Sequence, residues 1–260
     1  AACGTNDEAA PTTTAAPTTT TAPTTTTAPT NEASVVVAEI LTEAGCTAQE
    51  SSWDCFGADL SNTDLSGSDL SGSIFLSADL SRAMLRNSNL SGIKGMGTNF
   101  SGADLTGADL GGAEVSGANF TGAKLVDVDL TRVFMELTDL TGAELAGADL
   151  SGNFLPEVDF SGADLTDANL TFTHLSGADF TGADLRYADL RGAHLGETDY
   201  RVGVFASSNW SGPAHAGPAV FTDALLGAAK FCSDHLVGFG GYLPDGTNTS
   251  AHDLHRLTDC

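Results

Sequence analysis

Three kinds of side chain in this sequence could do chemistry. The first is acidic: 34 Asp and Glu stand against 10 Lys and Arg, for a net charge of −24. Most of the excess is Asp recurring every fifth residue, as in Asp59, Asp64 and Asp69. Regularly spaced carboxylates could hold Ca²⁺ loosely through oxygen ligands. The second kind is histidine. His174 and His194 lie twenty residues apart, with Glu197 the nearest candidate for a third ligand of a shared metal ion. His252 and His255, near Asp253 and Asp259, form a fainter group. The third kind is cysteine, at Cys3, Cys46, Cys55, Cys232 and Cys260. No CxxC spacing, nucleophile elbow, phosphate loop or HExxH occurs. Spread-out Asp residues also lack a cleft that would drive two carboxyl pKa values apart. We therefore assign no catalytic residue, metal or cofactor. A charge of this sign also argues against nucleic acid, whose phosphates require Lys and Arg.

The elements that position these residues follow from one stretch. A bulky apolar residue falls on nearly every multiple of five from Leu60 to Phe205, in thirty units without insertion or deletion. A period of five is neither helical nor that of a long strand. It implies one short straight piece and one corner per unit, and so a solenoid. Around the central residue i, position i−2 is small, i−1 mostly Asp or Asn, i+1 mostly Ser, Thr or Arg, and i+2 often Gly. Position i itself is Leu or Phe, apart from Gly95, Val115, Met135 and Tyr200. The large and small apolar positions suit a narrow interior. Short polar side chains at i−1 suit turns, where they bond nearby backbone, and this is the simpler expectation for the Asp series.

This pattern resembles the pentapeptide-repeat family, whose consensus is A(D/N)LXX, over about 150 residues. The resemblance implies an all-β solenoid: a right-handed quadrilateral β-helix with four units per coil. Thirty units make about 7.5 coils, a rod on the order of 36 Å long at the spacing of stacked strands. Sorting the central residues into four faces supports this coil. Phe100, Phe120, Phe160 and Phe180 all fall on the first face. The second and third are Leu throughout their middle coils, and the fourth holds Phe75, Gly95, Val115, Met135 and three Leu. Some members of the family are DNA mimics that bind type II topoisomerases through an acidic surface, and others dimerise through a C-terminal helix.

Four segments are expected: residues 1–32, 33–55, 56–206 and 207–260. The first begins Ala1-Ala2-Cys3-Gly4, similar to the end of a bacterial lipoprotein signal, and implies a lipid on Cys3. A tract of Ala, Thr and Pro over 9–30 follows, with Pro11, Pro17, Pro23 and Pro29 six apart. Such a tract builds no core and serves as an extended tether. The resulting membrane contact is through the lipid alone, since no stretch has the ~20 apolar residues of a membrane helix. A short helix is predicted over Asn31 to Gly45, capped by Asn31 or Ser34. It carries Val36, Val37, Ile40, Leu41 and Ala44 on one side and stops at Gly45. It would cap the first coil. In the last segment a helix over Phe221 to Asp234 and a Gly-rich remainder would cap the other end. With Cys3 set aside, Cys46 and Cys55 form one local pair and Cys232 and Cys260 another, as disulfides of an oxidising compartment or as free buried thiols.

The fourth face breaks the pattern. Its i−1 residues are Ile74, Lys94, Glu114, Phe134, Phe154, His174 and His194, with no Asp or Asn. Its i+1 residues include Leu76, Met96, Glu136 and Pro156. Apolar side chains pointing outward from an acidic rod mark a contact surface. Its occupant is a partner protein, a second copy, or the chain's own tail. The expected function is a non-catalytic, envelope-anchored binding or scaffold module. A cytoplasmic, topoisomerase-binding DNA mimic is the alternative.

Overall fold

The computed structural model describes residues 32–195, with the backbone of 198–199 and 215–216. The elements are α1 (Glu32–Glu43), β1 (Thr47–Ala48), β2 (Trp53–Asp54), β3 (Thr198–Asp199) and β4 (His215–Ala216). Between β2 and β3 runs a right-handed quadrilateral β-helix. Its period is read from parallel bridges that join i−1 residues twenty apart, from Asp54↔Ile74 and Asp59↔Asp79 to His174↔His194.

Each unit ties itself to the neighbouring coils by backbone alone. Leu80 N–H donates to Asn99 C=O and Arg82 N–H to Ser101 C=O, while Asp79 N–H reaches back to Ala58 C=O. Each corner is a tight turn. At Phe75 to Ala78 the Phe75 carbonyl accepts the Ala78 N–H at 2.8 Å, and Ser77 between them has φ 57°. A left-handed residue at this place makes the turn type II, which is why Gly fills so many i+2 positions.

The interior is filled as the period requires. Leu60, Leu65, Leu80, Leu85 and Leu105 are fully buried, with Ala83 and Ala103 between them. Each buried Leu contributes about 2 kcal/mol of hydrophobic stabilisation. The Phe rings of the first face stack in pairs, Phe100 on Phe120 at 4.7 Å and Phe160 on Phe180 at 4.8 Å. Gly95 is not a void. A Cβ there would meet Val115 Cγ1 at 3.2 Å and Ile93 Cδ1 at 3.6 Å, so neighbours already occupy the space. Polar side chains at i−2 are satisfied by carbonyls: Ser88 Oγ donates to Leu85 and Thr98 Oγ1 to Phe75.

The N-terminal cap follows the expectation with three corrections. Helix α1 starts at Glu32, so Ser34 lies inside it rather than capping it. Val36 is exposed, because the contact surface is narrow and only Val37, Ile40, Leu41 and Ala44 reach the core. The helix stops in a Schellman arrangement: Cys46 N–H bonds Leu41 C=O, Gly45 N–H bonds Thr42 C=O, and Gly45 has φ 86°. Cys46 is bonded to Cys55. The third correction is the start of the solenoid, which begins before residue 56. Cys55 is buried as an interior residue, donating to Ile74 C=O and accepting from Ala58 N–H. The disulfide therefore ties α1 to the floor of the first coil. β1 pairs antiparallel with β2 beneath that coil, and β4 pairs antiparallel with β3. Among the described residues no helix is long and apolar enough to cross a membrane.

Candidate interaction face

Parallel bridging brings equivalent side chains of successive coils together, so each face is a set of ladders. On the first and third faces these are Asp and Asn, and their oxygens are engaged. Asp159 Oδ1 accepts the Ser161 N–H at 2.8 Å, Asp149 that of Ser151 at 2.9 Å, and Asn119 that of Thr121 at 2.8 Å. Asn99 also bridges to Asp79 in the coil before. The Ser61 hydroxyl, followed by its N–H, holds the Asp59 carboxyl below the usual range. Asp104 shows the strongest effect. Burial alone would raise it, but bonds from Arg86 and Thr106 hold it at about 2. Arg186 and Arg191 pair likewise with Asp184 and Asp189 at 2.5 Å. The carboxylates are thus working parts of the corners. Among the described residues no group of three or more His, Cys, Asp and Glu is placed to hold a metal ion.

The fourth face is built differently. Met96 and Phe134 are exposed, at 49% and 57%. Ile74, Leu76, Phe154, His174 and His194 are only half-buried. Only part of the strip therefore stands clear of its neighbours. Rings one coil apart cover one another: Phe154 lies 5.0 Å from His174, and His174 stacks on His194 at 4.5 Å and 10°. Ser176 Oγ lies 3.2 Å from His194 Nδ1. Desolvation, reinforced by the neighbouring His194, lowers His174 to about 4, so it is neutral at pH 7. The two imidazoles lie face to face, an arrangement of packing rather than of chelation.

Residue spacing alone did not single out the corners of this face. Leu137 and Phe172 occupy i+2 positions with φ 57° each, and are 40% and 72% exposed. A non-Gly residue in the left-handed region costs about 1–2 kcal/mol. A bulky side chain standing where the repeat favours Gly was the available signal. The Phe172 ring lies over the next coil, where a Cβ at Gly192 would come within 2.5 Å of Phe172 Cδ1. Phe56, at an i+1 position of the same face, is 70% exposed. Phe56, Met96, Phe134, Leu137 and Phe172 thus gather on one face and its corners, while Met84 and Tyr187 stand elsewhere. Between Ile74 and His194 the charged side chains of the i−1 ladder are Lys94 and Glu114, one coil apart, with Asp54 at the start of the ladder. This is a surface suited to apolar recognition, set among acidic ladders.

Several residues singled out from the sequence lie outside the described residues: Cys3, Cys232, Cys260, Glu197, His252, His255, Asp253 and Asp259, with the predicted helix over Phe221 to Asp234.

Comparison with known proteins accounts for the repeat. HetL, a pentapeptide repeat protein involved in heterocyst differentiation regulation from the cyanobacterium Nostoc sp. strain PCC 7120, is 25% identical. The match covers 83% of this chain and 99% of HetL, with a TM-score of 0.33. A trypsin-treated variant of QnrB1, a plasmid-mediated fluoroquinolone resistance protein, is 29% identical over 59% of this chain and 81% of its own, with a TM-score of 0.40. A pentapeptide repeat protein of the Arabidopsis thaliana thylakoid lumen is 29% identical over 52% of this chain and 67% of its own, with a TM-score of 0.18. No curated protein matches the chain. The family model for pentapeptide repeats matches in eight copies, over residues 54–92, 98–136, 118–152, 137–167 and 163–199. With that match spanning more than half of its length, and with the coil of twenty residues seen in the structure, the chain belongs to the pentapeptide-repeat family.

Proposed function

We propose that this chain is a non-catalytic binding module of a bacterial cell envelope, held by lipid on Cys3 and the Thr/Ala/Pro tract, and offering its fourth face to a protein. The observation that carries this reading is the gathering of exposed Phe56, Met96, Phe134, Leu137 and Phe172 on one side of a rod otherwise lined with Asp ladders. The Cys46–Cys55 disulfide supports an oxidising compartment. In this reading Cys232 and Cys260 form a second disulfide. The test is an intact mass of the protein from its native cells, before and after reduction and alkylation. Acyl mass on Cys3, with four thiols appearing only on reduction, is the expected result. An unlipidated chain with free thiols overturns the envelope placement. Partner binding is tested separately with Phe134→Asp and Phe154→Asp, which abolish it if the fourth face is used.

The acidic ladders favour a second reading, a DNA mimic that binds a type II topoisomerase. Their role as corner acceptors weighs against it. Inhibition of gyrase supercoiling by the purified chain would establish the second reading over the first.

A further inference from the structure

We propose that the fourth face is a self-association surface, on which a second copy of this chain docks antiparallel. This rests on the reading of that face as a binding surface, and names its occupant.

Charge restricts what can dock on the rod. Each copy carries −24, so two copies repel wherever their Asp ladders meet. The fourth face has no Asp or Asn in its i−1 ladder between Ile74 and His194. Of its charges, Asp54 accepts the Phe56 N–H and Glu136 the Ser116 hydroxyl, and the remaining pair of the i−1 ladder, Lys94 and Glu114, is self-complementary. Lys94 and Glu114 are exposed, adjacent and opposite in sign, and Lys94 belongs to none of the ion pairs made by Arg86, Arg186 and Arg191. A two-fold axis lying in the interface, across the rod and between these two coils, sets each Lys94 on the other copy's Glu114. It also sets Ile74 on the other copy's Phe134. A parallel two-fold running down the i−1 ladder would instead oppose Lys94 to Lys94 and Glu114 to Glu114, so the antiparallel arrangement is the favoured one.

Area sets the strength. Overlap of about five coil steps at ~4.8 Å, across roughly 20 Å of face and corners, buries on the order of 500 Å² per copy. The total, about 1,000 Å², is at the threshold of specific interfaces, so the association is of the weak, transient class. The apolar residues are retained against the preferences of the fold. Asp is the usual i−1 residue, where it accepts a corner N–H, and Leu137 sits at φ 57°. Reverting Phe134 to Asp therefore suits the coil while removing the contact, so loss of association cannot be ascribed to unfolding.

The experiment is sedimentation velocity on the full chain, from low micromolar to near-millimolar concentration, with thermal unfolding of every variant. Wild type is expected to pass from monomer to dimer. Phe134→Asp and Met96→Ser should each weaken the dimer at least tenfold without lowering the unfolding temperature. Lys94→Glu should weaken it, and Lys94→Glu with Glu114→Lys should restore it. A wild type that stays monomeric throughout overturns the proposal, as does a dimer indifferent to Phe134→Asp and to the charge exchange. A monomer in which Phe134→Asp still abolishes binding of a different protein overturns self-association alone and leaves the binding module standing.

Discussion

The stacked histidines give the fold a pH dependence that can be worked out from one ring. His174 lies between Phe154 and His194, and burial with the adjacent imidazole lowers it from 6.5 to about 4. The folded state thus binds its proton later than the unfolded chain on acidification. The contribution is complete above pH 6.5, is lost as pH falls from 6.5 towards 4, and changes no further below both values. Linkage between these two values amounts to about 2 kcal/mol at pH 5. Solvent reaches part of the ring and reduces this to about 1 kcal/mol. The perturbation is His174→Phe, which continues the aromatic column with a ring that does not titrate. Wild type should lose about 1 kcal/mol more than the variant between pH 7 and pH 5 in chemical denaturation. The His174 ring should titrate near 4 by NMR. A ring titrating near 6.5, or a pH profile shared by wild type and variant, would refute the reasoning.

Three further outcomes test the scaffold. Replacing Cys46 and Cys55 together by Ala opens a loop of sequence separation 9 and should cost about 2–3 kcal/mol. Amide exchange should show the loss concentrated in α1 and the first coil. Asp159→Ala should cost about 1 kcal/mol through the orphaned Ser161 N–H, whereas Asp159→Asn, which keeps the acceptor as Asn119 does, should be near neutral in denaturant unfolding. Equal losses in the two variants would show that charge rather than corner bonding matters there. Gly192→Ala should cost about 1–2 kcal/mol from its left-handed φ of 74°, and more from the Phe172 ring above it. Adding Phe172→Ala, which removes the ring but keeps a Cβ at φ 57°, should recover only the part due to the ring, as read from the unfolding midpoint.

Much of the solenoid was legible because one physical demand repeats. A narrow interior needs a large apolar residue at every fifth place, so Leu60 to Leu195 declare the coil and the Phe pairs declare its four faces. The same rule hid its start. Cys55 fills an interior position without being Leu or Phe, so the first unit resembled part of the cap. The Asp series was correctly assigned to turn chemistry, since a short acceptor two residues before an unpaired N–H needs no tertiary information. The fourth face was visible from missing Asp, but its relief was not. How far Phe154 and His174 cover each other depends on ring stacking between coils. The corners at Leu137 and Phe172 depend on φ, which residue type signals only by contrast with Gly. Val36 looked like a core residue because helical spacing gives a side, but not the width of what packs on it.

In the reading proposed above, the fourth face, rather than the acidic ladders, makes this protein's contacts. That reading is tested most directly by placing a photocrosslinking amino acid in the native cell, singly, at Met96, Phe134, Asp79 and Asp159. Crosslinked species are expected from Met96 and Phe134 and none from the two Asp positions of the first face. Crosslinks confined to Asp79 and Asp159 would contradict that reading and return the acidic ladders to the centre of the protein's function.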